Sequence, residues 1–177
     1  MRMSTYKCLC LFVLLNCNRG VQCQQSELTA NVTYPSSGPA QHYVCNKGYS
    51  PLQCHQQMLI LHAALASYPS ANLGEWTWVL VRSNDWDPII RKAELDPDTP
   101  AFTVLERRTT FFEEALVAPV PGRRSELIRY WGRNIDDLLT LAVTHELGHS
   151  LCNERNERKA DAYGQRIRER SSLVCKS

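Results

Sequence analysis

The chain has 177 residues, 44% of them hydrophobic, with 20 basic and 18 acidic side chains and a formal net charge of +2. That length and apolar content suit one globular domain with a moderate core. The charge gives no footing to a nucleic-acid partner, and its slight basicity belongs to the opening stretch, where Arg2, Lys7 and Arg19 lie without a single acid through residue 23.

That opening has its own logic. Arg2 and Lys7 precede an apolar run from Cys8 to Leu15, shorter than the ~20 residues a membrane-spanning helix needs. Polar residues follow, so residues 1 to 23 are expected to be a secretory signal peptide and no transmembrane segment is expected. The expected location is secreted or periplasmic. Lipid attachment at Cys17 or Cys23 is an alternative that the preceding Asn16 and Gln22 suit poorly. A cut at that point leaves Cys45, Cys54, Cys152 and Cys175, and an even number in an exported chain points to two disulfides. Of the three pairings, Cys45 with Cys54 and Cys152 with Cys175 close modest local loops and are favoured. Thiol metal binding is the alternative, though no C-x-x-C pair supports it.

Residues 24 to 50 are rich in Gln, Ser, Asn, Pro and Gly and are expected to form a loose N-terminal arm before a domain over 51 to 177. The arm carries a glycosylation acceptor, Asn31-Val32-Thr33, of use only in a eukaryotic host. Gln53 to Tyr68 has helical character and ends at Pro69. His55 and His62 lie on it two turns apart, as surface or boundary residues. Trp76 to Val81 is aromatic and β-branched and predicts a strand that stops in the polar turn at Ser83, Asn84 and Asp85. Phe102 to Leu105 and Thr109 to Val117 predict two further strands, antiparallel, joined near Glu106, Arg107 and Arg108. Pro119, Pro121 and Gly122 break the chain before a polar helix near Arg124 to Trp131.

The next helix is apolar nearly all round, through Leu138, Leu139, Leu141, Ala142, Val143, Leu147 and Leu151, and is therefore expected to be buried and central, capped by Asp136 or Asp137. In its middle stand His145, Glu146, Leu147, Gly148 and His149. On a helix the two histidines share a face one turn apart, with the glutamate between them. Two imidazoles and a carboxyl in a buried helix are costly without partners, and a metal satisfies them all. Eight residues beyond His149 comes Glu157, with Asp161 one turn further on. A catalytic zinc takes three protein ligands and keeps a position for water, which two histidines and one carboxylate provide.

These strings resemble the gluzincin metallopeptidases, the thermolysin-type branch of the zincins, closely over residues 136 to 164 and loosely back to about residue 53. A single-domain, minigluzincin-like form has about this size. The resemblance implies zinc as the cofactor, His145, His149 and Glu157 as its ligands, Glu146 as the general base and Asp161 as the partner of the His145 ring. It also implies a substrate strand at the sheet edge, for which Thr109 to Val117 is the candidate.

The chain departs from that family in spacing, since only seven residues separate His149 from Glu157. Such a segment spans roughly 25 Å when extended, more than two ligands of one metal require. Asn153 tolerates the left-handed conformation at a helix end, and Asn156 or Asn153 can cap the next helix. Glu157, Glu154 and Asp161 compete for the third ligand position. Glu154 has Arg158 rather than a carboxylate four residues on, and Asp161 as a ligand would be aspzincin-like, so Glu157 is favoured. Tyr163, Tyr130 and Arg133 are unassigned candidates for stabilising an oxyanion. The basic run from Arg155 to Arg170 fits a solvated helix face.

The expected fold is α+β, a minimal zincin-like domain with a small antiparallel or mixed sheet, a backing helix, a buried HExxH helix and a short glutamate helix. The expected function is a secreted zinc-dependent endopeptidase acting on peptide or protein substrates. The alternative is an exported, disulfide-tied binding module with a structural or inactive metal site. Oligomeric state is not readable from these residues.

Overall fold

A computed structural model describes the backbone of residues 28–33 and the whole of residues 41–68 and 73–175; the expected signal peptide lies outside them. The described residues form an α+β fold built on a five-stranded mixed sheet. Its strands are β1 (Leu28–Thr33), β2 (Gln41–Asn46), β3 (Trp76–Val81), β4 (Ala101–Val104) and β5 (Thr109–Glu113), in the order β1-β2-β3-β5-β4. The inner strands β2, β3 and β5 run parallel, and each outer strand pairs antiparallel with its neighbour.

The described parts of the expected loose arm, residues 28–33 and 41–50, are built into the fold. They supply an edge strand and an inner strand, and Tyr43, Val44 and Cys45 are buried. The crossover from β2 to β3 is α1 (Pro51–Ala66), which starts with Ser50 and Gln53 capping each other's backbone amides and Pro51 in the first turn. Its Cys54, Met58, Leu61 and Leu65 recur at helical spacing and are buried in the core. Both favoured disulfides are present, Cys45–Cys54 and Cys152–Cys175.

Strand alternation sends Trp76, Trp78 and Leu80 into the main core with Phe112, α1 and the histidine helix. Val79 and Val81 point the other way, against Trp86 and Ile90. Those two side chains sit on α2 (Ser83–Lys92), a helix in place of a simple polar turn, even though Pro88 lies inside it. The β4–β5 connection is a single 3-10 turn closed by Arg108 in the left-handed region at φ 49°. β5 ends sooner than expected, at Glu113, because the chain winds into another 3-10 turn over Glu114–Leu116. Glu113 is fully buried and accepts two hydrogen bonds from Arg123, at 2.8 and 3.0 Å, on α3 (Arg123–Trp131).

The buried helix is α4 (Ile135–Cys152), and α5 (Glu157–Arg168) follows at once. Asn134 caps α4, accepting from the Asp137 amide at 2.9 Å, so Asp136 and Asp137 occupy its first turn instead of the cap. Among the described residues, no helix is long and apolar enough to cross a membrane.

Candidate metal centre

The site begins with two glycines. A Cβ built on Gly148 of α4 would lie 2.5 Å from the Ala160 carbonyl oxygen on α5, and one on Gly164 of α5 would lie 2.9 Å from the Thr144 carbonyl oxygen on α4. The two backbones thus meet almost directly, as side chains would forbid. The bend between the helices has the chemistry the sequence leads one to expect: Asn153 ends α4 at φ 47° and Asn156 caps α5 by accepting from the Lys159 amide at 3.1 Å. Close packing and a short bend carry Glu157 and Asp161 to the histidine face of α4.

There His145 Nε2 and His149 Nε2 lie 3.0 Å apart, and Glu157 Oε2 lies 3.1 Å from the first and 3.4 Å from the second. Zinc bonds of about 2.0–2.2 Å in tetrahedral directions separate adjacent ligand atoms by about 3.3 Å. The triangle matches that size. The other ring nitrogens are engaged as well: His145 Nδ1 lies 2.7 Å from Asp161 Oδ1, and His149 Nδ1 lies 2.6 Å from the Glu154 carbonyl oxygen. An imidazole that donates from Nδ1 turns the lone pair of Nε2 outward, so both rings present acceptor nitrogens to one point.

The three acids that compete for the third position take different places. Glu157 completes the triangle and Asp161 braces His145, whereas the Glu154 carboxylate turns back to the Asn156 amide at 2.8 Å and to Lys159. Glu154 serves the site only through its backbone carbonyl.

The electrostatics show a demand for positive charge. Burial opposes a charge on His145, yet hydrogen bonds to Asp161 and Glu157 override it and push the ring up to about 10. Burial likewise opposes charge on His149, but the Glu157 hydrogen bond and the nearby Glu146 charge raise it. Glu157 is itself partly buried, but the two histidines hold it far below the ordinary carboxylate range. Two Nε2 atoms 3.0 Å apart have no room for a proton on each, so protons answer the carboxylates less well than one cation between the rings. The donor set, two imidazoles and a carboxylate with both outer nitrogens braced, fits a zinc ion.

Glu146 lies 3% exposed beside this group, and burial raises its carboxyl against the pull of His145 and His149. Its Oε2 accepts a 2.7 Å hydrogen bond from Thr103 Oγ1 on β4. The strand next to the site is therefore the edge strand β4, whereas the Thr109–Val117 segment expected at the edge contributes β5, inside the sheet between β3 and β4. No motif announces Thr103, because its value arises only when β4 lies against α4. Tyr163 is a core residue. Tyr130 stands on α3 with its hydroxyl 3.3 Å from Asp96 Oδ2, and Arg133 is exposed between α3 and α4. Arg155 pairs with Glu106, linking the helix bend to the turn after β4.

In comparisons with known proteins, the chain matches no family model, no curated protein and no solved structure.

Proposed function

We propose that this chain is an exported zinc-dependent endopeptidase of gluzincin-like chemistry, with His145, His149 and Glu157 as metal ligands. The observation that carries the reading is the Nε2–Nε2–Oε2 triangle with a buried glutamate, Glu146, one residue from the first histidine. Zinc bound there supplies a Lewis acid and lowers the pKa of water from 15.7 to about 7. The chain supplies the rest. Asp161 and the Glu154 carbonyl fix both imidazoles, and Glu146 takes a proton from the attacking water and returns it to the departing amine. β4 is an edge strand among the described residues, on which an extended peptide would gain main-chain hydrogen bonds largely independent of its side chains. Two disulfides accord with an exported protein.

Metal analysis and cleavage of a broad peptide library, run on the natural protein and on Glu146→Gln, test the reading. Both proteins should hold zinc, and the variant should lose roughly 10²- to 10⁴-fold in cleavage. Zinc-loaded natural protein that cuts no peptide would leave a binding module with a structural metal.

A further inference from the structure

Three neighbouring strands meet α4 through one line of polar contacts. Trp76 Nε1 on β3 lies 3.0 Å from Thr110 Oγ1 on β5, Thr110 Oγ1 lies 2.7 Å from Thr103 Oγ1 on β4, and Thr103 Oγ1 lies 2.7 Å from Glu146 Oε2. Thr103 and Thr110 are register partners on the antiparallel β4–β5 pair, which accounts for their hydroxyls meeting. Thr110 is wholly buried, and Trp76 and Glu146 are 4% and 3% exposed. Polar groups at such depth need partners.

The direction of the line follows from counting protons. An indole N–H only donates, so Thr110 accepts from Trp76. At the other end the Thr103 hydroxyl donates to Glu146 Oε2, and that hydrogen bond uses the one proton Thr103 has. The hydroxyl–hydroxyl contact between them then has a single proton left to use, that of Thr110. Every donor in the line points toward Glu146, and reversing any link would leave a buried donor or the carboxylate without its partner.

We infer that Trp76, Thr110 and Thr103 form a one-way hydrogen-bond relay that fixes the Glu146 carboxylate by its Oε2, leaving Oε1 as the oxygen for proton transfer. They are positioning residues. Their effect on cleavage rests on the peptidase reading above, but the relay itself does not. Without the relay, Glu146 keeps its place on α4 but loses its single orientation about the last side-chain bond. Metal retention should be unaffected, because the hydrogen bonds that hold the triangle, to Asp161 and the Glu154 carbonyl, do not involve the three residues.

The first arm of the test needs no activity. The indole N–H resonance of Trp76, assigned by its loss in Trp76→Phe, is recorded by ¹⁵N NMR in the natural protein, in Glu146→Gln, in Thr103→Val and in the Thr103→Val/Glu146→Gln double variant. Replacing the Glu146 carboxyl by an amide should move the Trp76 signal across two intervening hydroxyls, and Thr103→Val should abolish that sensitivity. A Trp76 signal indifferent to Glu146→Gln, or one equally sensitive without Thr103, overturns the relay. The second arm compares zinc content and steady-state cleavage. Thr103→Val should keep its zinc and its KM while kcat falls roughly 10- to 100-fold, as expected for loss of a hydrogen bond to a charged group, and Thr103→Ser should restore most of it. An unchanged kcat in Thr103→Val overturns the positioning role. Absence of cleavage by the natural protein overturns the peptidase reading instead, with the NMR arm still deciding the relay.

Discussion

Replacing Gly148 by alanine sets two opposed effects against each other. Inside a helix, alanine is ordinarily more stable than glycine by about 0.5–1 kcal/mol. Here the added methyl would stand 2.5 Å from the Ala160 carbonyl oxygen, a backbone atom that has no rotamer by which to escape. An ordinary carbon–oxygen contact is about 3.4 Å, so α5 must retreat by about 0.9 Å, and such overpacking costs about 1–3 kcal/mol. The backbone clash outweighs the propensity gain, leaving a net loss of up to about 2.5 kcal/mol. The retreat also acts on the site, because Ala160 lies between Glu157 and Asp161 on the same helix. Metal geometry tolerates about 0.2 Å, so zinc affinity should fall at least tenfold. Denaturant unfolding with and without chelator gives the first quantity, and competition with a chromophoric chelator gives the second. A Gly148→Ala protein as stable as the natural one with unchanged zinc affinity would refute the close-contact argument. Gly164→Ala, with 2.9 Å to the Thr144 carbonyl oxygen, should show the same effects in weaker form.

Asp161→Asn should lower zinc affinity 10- to 100-fold by loosening the His145 ring, whereas Glu154→Ala should leave it nearly unchanged, since only the backbone carbonyl of that residue serves the site. Removing the Cys152–Cys175 bridge, which spans 23 residues, should reduce unfolding stability by about 3 kcal/mol in denaturant titrations. In the metal-free protein the raised His145 value gives a stabilising contribution that is fully present below its ordinary pKa near 6.5 and is lost as pH rises through about 10, so chelated protein should weaken over that window in pH-dependent unfolding. The same protonation means that zinc must displace protons. Calorimetry at neutral pH in buffers of different ionisation enthalpy should therefore record proton release on binding, and an enthalpy independent of buffer would count against it.

The parts of this structure legible in the chain are those whose cause is local. The HELGH string, the αL-tolerant Asn153, the cap at Asn156 and the offset to Glu157 and Asp161 all lie within about two dozen residues, and each appears where local chemistry puts it. The β3 strand, the antiparallel β4–β5 pair and both disulfides were also within reach, from alternation and from loop length. What escaped depends on partners distant in sequence. β2 reads Gln-His-Tyr-Val-Cys-Asn, with half its residues polar, and becomes a strand because β1 and β3 flank it. α2 lacks a side-chain cap and contains a proline, so its local signal opposes the helix that Trp86 and Ile90 earn by packing. The edge position went to β4 rather than β5 because strand order is a matter of topology. Thr103, Thr110 and Trp76 carry no motif for the same reason: each belongs to a different strand.

The segment from Asn153 to Asn156 does three jobs in four residues. It stops one helix, starts the next, and lends a carbonyl to a histidine ring. Surface connections normally absorb added or deleted residues with little harm, but here a single insertion would displace that carbonyl and the following carboxylate together. Relatives of this chain that keep the histidine pair should therefore vary freely in the composition of the bend and hardly at all in its length.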